Sequence, residues 1–208
     1  MSEPTFPLAA LSRLRMAIDG VGVTTLVCGT GCPLRCRLCI NAQLLSTAKP
    51  MEVTPRQLYD LLRQDDIYFQ ATGGGPTFGG GEGLLHLDFI EAFRPLAPRW
   101  HITAETSLQV PPDWIPRAAR CVDAFVVDIK TLDREIYRRY TDGDVDAAAG
   151  NLRRLLELCG PGRIRVRAPV IPGFADEASR RETVRQLREM GVTDIDEFTY
   201  IDPAERKK

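Results

Sequence analysis

The sequence predicts an α/β protein whose strands form a mostly parallel sheet. Short apolar and β-branched segments alternate with amphipathic segments along its 208 residues. This alternation requires crossover connections between strands, and such connections favour parallel neighbours. Glycines, cysteines or charged residues follow five successive predicted strands, at the end where parallel folds bind their ligands. An open doubly wound sheet and a partial barrel both fit these observations.

The predicted strands are short apolar runs bounded by glycine, proline or polar residues. The first, "VGVTTLVC" at 21–28, lies between glycines and leads into a cysteine-rich loop. The others are a segment that begins near Ile67 and ends in glycines, a segment that begins at Trp100, the segment "DAFVVDIK" that ends at Lys130, residues 163–171 and residues 196–202.

Helical segments fill the intervals between these strands. Thr54 is a suitable N-cap and Pro55 suits the first helical turn after it, while Gly191 is a suitable stop for the last helix. The predicted helices are "TPRQLYDLLRQ", "LDFIEAFRPL", the proline-rich "PPDWIPRAAR", "DREIYRRY", "DAAAGNLRRLLELCG" and "DEASRRETVRQLREMG". We expect one domain over 1–208, with an irregular or helical lead-in at 1–18, a core at 19–202 and a short tail at 203–208.

The composition argues against several classes of function. A formal net charge of −1 provides no general attraction to nucleic acid or anionic membranes. No apolar run approaches the roughly 20 residues of a membrane span, and the first residues lack the layout of a signal peptide. We therefore expect a cytoplasmic protein that binds neither nucleic acid nor membrane.

Three of the six cysteines are close together in the stretch "GTGCPLRCRLCIN". Cys32, Cys36 and Cys39 have the spacing C-x3-C-x2-C directly after the first predicted strand. A closed zinc site takes four ligands, so a zinc knuckle would need a distant fourth residue. A cubane iron–sulfur cluster held by three thiolates would instead keep one iron open to a small molecule. Of the remaining cysteines, one lies inside the predicted strand, Cys28, and two are interpreted as buried core thiols, Cys121 and Cys159.

The cysteine spacing is the signature of the radical S-adenosylmethionine (SAM) enzymes, and the resemblance extends beyond it. "DGVGVTTLVCGTGCPLRCRLCIN" resembles the opening of the activating enzymes of glycyl radical enzymes, of which the pyruvate formate-lyase activating enzymes are the best known. "PTFGGGEGLL", "ITAETS", "FVVDIKTLDREIYRRYTDG" and "VRAPVIPGFADE" are similar to later segments of the same family. The similarity runs from about Asp19 to Glu177 and implies a partial (β/α)6 barrel of the radical SAM type.

The resemblance implies a reaction and its cofactors. Cys32, Cys36 and Cys39 would hold a [4Fe-4S] cluster whose open iron binds the amino and carboxylate groups of SAM. An electron from the reduced cluster would cleave SAM, and the resulting 5′-deoxyadenosyl radical would remove a hydrogen atom from a glycine of a partner enzyme. The electron would come from a flavodoxin or a ferredoxin-type protein, and a monomer is expected. Two alternatives are a radical SAM enzyme that acts on a small molecule, as the deazapurine-forming synthases do, and a non-catalytic iron–sulfur protein.

Further site residues are assigned by matching this sequence to the family motifs. Gly80, Gly81 and Glu82 match the glycine-rich segment that meets the methionine amino group, and glycines let a backbone approach a ligand closely. Lys130 and Arg167 match residues near the cofactor at two later strand ends. The other cofactor contacts implied by the resemblance are Leu38, against the adenine, together with Asn41 and Glu105. The resemblance also implies a monovalent cation held by Glu105, Thr106 and Asp128.

The sequence departs from the family at several positions. Leu38 stands where an aromatic residue is frequent, and Leu108 stands where a glycine is usual. The activating enzymes commonly carry a histidine after their sixth strand, and the sequence has only His86 and His101, both earlier. A second cysteine-rich ferredoxin insert, found in some larger relatives, is also absent from these residues.

Overall fold

The computed structural model describes residues 3–16 and 19–201, and the strands among them form one eight-stranded sheet. Numbered along the chain, the strands are β1 (Phe6–Met16), β2 (Val23–Gly29), β3 (Met51–Val53), β4 (Gly75–Gly80), β5 (Thr103–Thr106), β6 (Ala124–Asp128), β7 (Ile164–Val170) and β8 (Asp194–Thr199). The α-helices are α1 (Ala42–Thr47), α2 (Pro55–Leu62), α3 (Asp66–Thr72), α4 (Leu87–Phe93), α5 (Trp114–Cys121), α6 (Arg134–Thr141), α7 (Val145–Cys159) and α8 (Glu177–Glu189).

The order of the strands identifies the architecture. The sheet has the order β3-β1-β2-β4-β5-β6-β7-β8, and β2 is parallel to β4, as are all later neighbours along the sheet. These parallel strands follow one another in chain order, whereas a doubly wound sheet reverses its order at a switch point. The fold is therefore the expected partial barrel of six β/α units. One edge is extended by β1 and β3, which are antiparallel to each other, with β1 also antiparallel to β2.

The expected lead-in is partly a strand. Residues 6–16 form β1, although the prolines of this segment favoured an irregular or helical prediction. Phe6 and Leu8 alternate with less buried neighbours and face the core, which is the period of a strand. Pro7 lies between them, and its carbonyl accepts a hydrogen bond from the N–H of Thr30. This segment forms a strand in spite of its prolines, because the alternating pattern lets the side chains of both Phe6 and Leu8 reach the core.

The strand predicted near Ile67 is wrong, because this segment is helix α3. The helix ends at Gly73, whose φ of +68° is the left-handed conformation that favours glycine. The strand β4 instead lies among the glycines in which the predicted strand was expected to end. A β-carbon at Gly75 would lie 2.5 Å from the carbonyl oxygen of His101. Glycine is thus required here by the close approach of the neighbouring chain.

The main core lies between the sheet and the helices that cover its outer face. Its aromatic centre joins β1 and β4 to α4 through edge-on ring contacts, of which Phe78 makes three, with Phe6, Phe89 and Phe93. Burial of such rings supplies a large share of the apolar area removed from water. Packing the outer face in this way leaves the carboxyl ends of the parallel strands free to carry polar groups. In the described parts of the chain, no helix combines the length and the apolar character that crossing a membrane requires.

Candidate active site

One cavity at the carboxyl ends of the parallel strands collects every residue that the sequence suggested as a ligand or cofactor contact. Parallel strands bring the residues that follow them to one edge of a sheet, which is why distant motifs meet there. The predicted residues that line the cavity are Cys32, Cys36, Leu38, Cys39, Asn41, Gly80, Gly81, Glu82, Glu105, Thr106, Asp128, Lys130 and Arg167. The wall also contains residues that the sequence did not single out, which are Leu34, Ile40, Leu45, Ser107, Val126, Tyr140 and Tyr200.

The loop that carries the cysteines is anchored on the end of α6. The N–H groups of Arg35 and Arg37 donate to the carbonyls of Thr141 and Tyr140, at 2.7 and 3.0 Å. These two hydrogen bonds flank Cys36 on both sides and fix the backbone around it. The structure thereby keeps Cys36 on the cavity wall with the other two cysteines of the motif.

The end of β4 is joined to the same loop by backbone contacts. The N–H of Gly81 donates to Gly29 and that of Glu82 donates to Gly31, at 3.2 and 3.0 Å. A β-carbon at Gly81 would overlap the carbonyl oxygen of Gly31, so this crossing has no room for a side chain. Asn41 completes the junction, since its Nδ2 donates to the carbonyl of Gly80 at 2.7 Å. The glycine-rich segment therefore shapes the cavity wall through its backbone.

Glu82 connects the ends of β4 and β5. Its side chain is only 3% exposed, and its carboxylate accepts from the N–H groups of Leu84 and Ser107, at 3.2 and 2.9 Å. The Ser107 hydroxyl donates to the same carboxylate at 2.6 Å. Leu108 follows with a φ of +58°, so this leucine adopts the left-handed conformation suited to the glycine that the family usually has here. Glu82 is thus engaged in three hydrogen bonds within the protein.

Lys130 is the most deeply buried cation of the site. Its side chain is 7% exposed and pairs with the carboxylate of Asp128, while its Nζ lies 2.6 Å from the hydroxyl oxygen of Tyr200. Burial acts to lower the pKa of Lys130, but the nearby Asp128 and Tyr200 outweigh it and raise this pKa well above its usual value. Lys130 is therefore a fixed positive charge at the cavity wall.

A second ion pair lies across the interior of the barrel, between β5 and β7. Arg167 Nη1 is 2.9 Å from Glu105 Oε1, and the same guanidinium lies 3.8 Å from carboxylate oxygens of Asp19 and Asp196. Burial raises the pKa of Glu105, although the adjacent guanidinium opposes the shift. Burial also acts against the charge of Arg167, but Glu105 and Asp128 prevail and raise its pKa. Both side chains are held in place before any ligand arrives.

The two carboxylates suggested as ligands of a monovalent cation, those of Glu105 and Asp128, already form ion pairs with basic side chains. Glu105 is paired with Arg167 and Asp128 with Lys130. Among residues 3–16 and 19–201, no group of three or more His, Cys, Asp or Glu side chains is arranged to hold a single metal ion. A monovalent cation at Glu105, Thr106 and Asp128 stays a prediction of the sequence.

The donor set of the cysteine loop suits a cluster. Thiolates of an iron–sulfur cluster bind different iron atoms, so Cys32, Cys36 and Cys39 need not converge on one point. Burial raises the pKa of Cys36 to about 11, and bound iron would favour the thiolate because metal ligands must be deprotonated. Asp128 Oδ1, in the cavity wall, is buried without a hydrogen-bond partner among the described residues. Such orphaned polar atoms are rare in folded proteins, and this one fits a site built for a polar ligand.

Tyr200 and Ser107 are the main contacts that sequence reasoning missed. Tyr200 directly follows β8, the sixth parallel strand, where a histidine was expected and not found. The sequence analysis placed Tyr200 inside the last predicted strand, at 196–202, whereas β8 ends at Thr199, so no strand-end signal pointed to this tyrosine. Ser107 follows β5 and carried no signal of its own, because its partner Glu82 lies 25 positions earlier in the sequence.

Curated relatives of the chain are activating enzymes. It is 32% identical over 136 residues to the (2S)-3-sulfopropanediol sulfolyase activating enzyme of Bilophila wadsworthia, an alignment that covers 64% of this chain and 44% of that protein. It is 29% identical over 171 residues to the pyruvate formate-lyase-activating enzyme of Clostridium pasteurianum, which covers 82% of this chain and 70% of that one. The chain thus spans less than half of the first relative and about two thirds of the second.

The fold is also that of a solved crystal structure. The crystal structure of Streptococcus suis SuiB bound to S-adenosylmethionine matches with a TM-score of 0.63 over 82% of this chain and 38% of that one, at 16% identity. The radical SAM superfamily profile matches residues 26–187, a range that contains the cysteine loop and all but the last of the parallel strands in full or in large part. With most of its length matched, this chain belongs to the radical SAM superfamily, and its curated relatives include activating enzymes of glycyl radical enzymes.

Proposed function

We propose that this protein is an activating enzyme that generates a glycyl radical on a partner enzyme. The observation that supports it most directly is the meeting of Cys32, Cys36 and Cys39 with the charged strand ends in one cavity. The names of the curated relatives support the choice of a glycine-bearing protein as the target. A [4Fe-4S] cluster on the three cysteines would, when bound, supply the electron that cleaves SAM into methionine and a 5′-deoxyadenosyl radical.

The residues of the chain would bind and orient SAM. Lys130 offers a fixed positive charge for the methionine carboxylate, and the backbone at Gly80 and Gly81 lies close enough to the cysteine loop to contact the methionine amino group. Glu82, with three internal hydrogen bonds, would act mainly by holding this segment in place. Preorganised groups of this kind raise reaction rates because they need no rearrangement during the reaction.

Other side chains would shape the nucleoside end of the pocket. Leu38 offers an apolar surface for the adenine, and Asn41 fixes the loop beside it through its bond to Gly80. Arg167, held by Glu105 on the opposite side of the cavity, would contact the polar part of the cofactor. We assign these roles by their place on the cavity wall.

The partner would approach through the open side of the barrel. Along the described sheet, β3 and β8 form the two edges and do not pair with each other. Ile40, 63% exposed beside the cavity, offers apolar contact to an entering segment. The electron donor would be a flavodoxin or a ferredoxin-type protein. A cytoplasmic location and a monomeric state stay predictions of the sequence.

The test is an anaerobic activation assay. The reconstituted, reduced protein should convert SAM to methionine and 5′-deoxyadenosine, measured by chromatography, and should cleave it faster when its cognate glycyl radical enzyme is present. Electron paramagnetic resonance should then show a protein-centred glycyl doublet. Samples without SAM and samples of the Cys36→Ala variant are the controls and should show neither product nor doublet.

Each alternative has its own outcome in this assay. Robust SAM cleavage without a radical on any glycyl partner would favour a small-molecule substrate. Intact cluster with no cleavage of SAM under reducing conditions would favour a non-catalytic iron–sulfur protein.

A further inference from the structure

A cluster of arginines covers the outer side of the cysteine loop, and we call it the basic surface. Its members, all exposed, are Arg35, Arg37, Arg138 and Arg139. The first two belong to the cysteine loop and the last two to the final turns of α6. Two hydrogen bonds join these segments, from the N–H groups of Arg35 and Arg37 to the carbonyls of Thr141 and Tyr140. The two backbone segments that carry the four arginines are therefore adjacent in the fold.

The charges of the basic surface are not neutralised by ion pairs. No salt bridge joins any of the four arginines to an acid within the described residues, and the sequence from 20 to 51 contains no aspartate or glutamate at all. The acids nearest to Arg138 and Arg139 in the sequence are Glu135 on α6 and Asp142 directly after it, two negative charges against four positive ones on a chain whose net charge is −1. By contrast, the exposed Arg185 of α8 pairs with both Glu182 and Glu189.

The side chains of this surface are directed by two kinds of contact. Arg35 Nη1 donates to the carbonyls of Cys32 and Leu34, at 2.7 and 3.0 Å, so its charge lies against the cysteine loop. The guanidinium of Arg139 lies 5.5 Å from the ring centre of Phe174. Such cation–π contact orients a cation without neutralising it.

The basic surface is separate from the opening through which SAM and a substrate would enter. None of its four arginines lines the cavity, which is walled by other residues of the same loop, such as Leu38, Ile40 and Asn41. Cys36 lies between Arg35 and Arg37 in the sequence and also faces the cavity. A protein seated on the arginines would thus approach the cysteine sulfurs from outside while the cavity stays accessible.

We propose that the basic surface docks an acidic one-electron donor protein of the flavodoxin or ferredoxin kind. The inference rests on the proposed function, in which each SAM cleaved consumes one electron. That electron would leave the reduced flavin or iron–sulfur centre of the donor, which is oxidised, and would reduce the cluster held by the three cysteines. Opposite surface charges raise the rate of encounter by about 10- to 1,000-fold at low salt, and weak redox encounters need only small interfaces.

The test measures reduction of the cluster, without any need for SAM or a glycyl partner. The reconstituted holoenzyme is mixed anaerobically with a reduced acidic flavodoxin, and the bleaching of the cluster absorbance is followed over a range of ionic strengths. Reversing two charges with Arg37→Glu and Arg138→Glu should slow this reduction about tenfold or more at low salt and flatten its salt dependence, since screening grows as the Debye length shortens. Reduction by dithionite should be unchanged.

Two further variants make the result specific. Arg181→Glu with Arg188→Glu places the same charge change on exposed positions of α8 and should leave flavodoxin-driven reduction near the wild-type rate. If Arg37→Glu lowers the iron content, the pair Arg138→Glu and Arg139→Glu, outside the cysteine loop, should give the same slowing.

The proposal would be overturned if cluster-loaded variants of the basic surface were reduced by flavodoxin at the wild-type rate and with the wild-type salt dependence. It would also be overturned if the variants bound the radical-accepting enzyme more weakly but were still reduced by flavodoxin at the wild-type rate. That result would favour docking of the radical-accepting enzyme on the basic surface. Because cluster reduction is measured alone, failure to form a glycyl radical would count against the proposed function and not against this docking surface.

Discussion

The Nζ atom of Lys130 lies 2.6 Å from the hydroxyl oxygen of Tyr200, so residues that follow β6 and β8 touch across the end of β7. The same lysine pairs with Asp128, and its ammonium group lies 5.2 Å from the centre of the Tyr200 ring. This arrangement gives a buried cation two oxygen partners and one aromatic face. It also means that any change at Lys130 affects both the stability and the charge of the cavity wall.

Lys130→Met should destabilise the cluster-free protein. Breaking one partner of a buried pair costs about 3–5 kcal/mol, and we expect about 2–3 kcal/mol here because Asp128 is 30% exposed and partly solvated. Urea denaturation provides the measurement. The double variant Lys130→Met with Asp128→Asn should recover much of the loss, since no unpaired charge is then left behind. A double variant as unstable as the single one would show that the charge pair is not the cause.

Cluster binding should depend on three cysteines and not on the others. Replacing Cys32, Cys36 or Cys39 by alanine should abolish stable iron binding, because the remaining two thiolates cannot hold the cluster. Iron content and absorbance after anaerobic reconstitution are the readouts. The matched controls are the alanine variants of the cysteines outside the motif, which are Cys28, Cys121 and Cys159, and they should retain iron near the wild-type level.

The structure explains why these control cysteines should be inert. Cys28 and Cys121 are buried, and neither they nor Cys159 line the cavity that contains the three cysteines of the motif. Loss of the cluster in Cys28→Ala as complete as in Cys36→Ala would contradict the three-thiolate site.

Much of the barrel could be predicted from local patterns, and the errors have physical causes. Buried parallel strands such as β6 are continuous apolar runs, which makes them visible in a sequence. Helix α3 was mistaken for a strand because Ile67 and Tyr68 suggest strand propensity, yet both are exposed on the helix. The strand β4 was missed because glycine has little strand propensity, and the demand for glycine at Gly75 comes from His101 on a neighbouring segment.

The site was predictable to the extent that its residues follow strands. Asp128 and Arg167 stand at the ends of recognisable strands, and fold topology then brings them to one edge of the sheet. The pairings themselves were not predictable, because the link between Glu82 and Ser107 depends on a loop conformation in which Leu108 adopts a φ of +58°. Such tertiary contacts leave no local pattern.

Glu82→Ala should cost stability as well as cofactor binding. The carboxylate accepts three hydrogen bonds, and a hydrogen bond to a charged group contributes about 1.5–3 kcal/mol, so we expect a loss of at least that size in urea denaturation. Glu189→Ala, which removes an exposed carboxylate paired with Arg185 on α8, is the control and should change stability by less than about 0.5 kcal/mol. A stable Glu82→Ala protein with weakened SAM binding would instead assign this carboxylate to direct contact with the cofactor.

Glu105 should make the protein less stable as the pH rises. Burial raises the pKa of Glu105 in the folded protein above the ordinary value of 4.5. Between the pKa of the unfolded state and this higher pKa of the folded state, the native protein therefore binds more protons than the unfolded chain. Stability then falls with increasing pH through this window. Glu105→Gln mimics the protonated acid, so it should match the wild type at low pH and become the more stable protein at neutral pH.

Denaturation curves taken across the pH range test this expectation. Asp176→Asn is a control with the opposite pH dependence. The N–H of Ser179 lowers the pKa of Asp176 in the folded protein. The Asp176 carboxylate therefore stabilises the wild type above the unfolded-state pKa, and this stabilisation is lost as the pH falls. If Glu105→Gln were less stable than the wild type at neutral pH only, the ion pair with Arg167 would outweigh the cost of burial.

Tyr137→Phe should stabilise the cluster-free protein. The Tyr137 side chain is 0% exposed, and its hydroxyl has no hydrogen-bond partner among the described residues. A buried hydroxyl without a partner costs about 1–3 kcal/mol, and phenylalanine removes this cost while it keeps the ring that packs against Gly143. Tyr140→Phe is the matched control one helical turn further on, because the Tyr140 hydroxyl is not among the buried polar atoms that lack a partner in the described residues, so its removal should bring no such gain. Thermal and urea denaturation of both variants provide the measurement. A Tyr137→Phe protein that is less stable than the wild type would mean that ordered water, or another polar group, forms a hydrogen bond with the Tyr137 hydroxyl in the folded state.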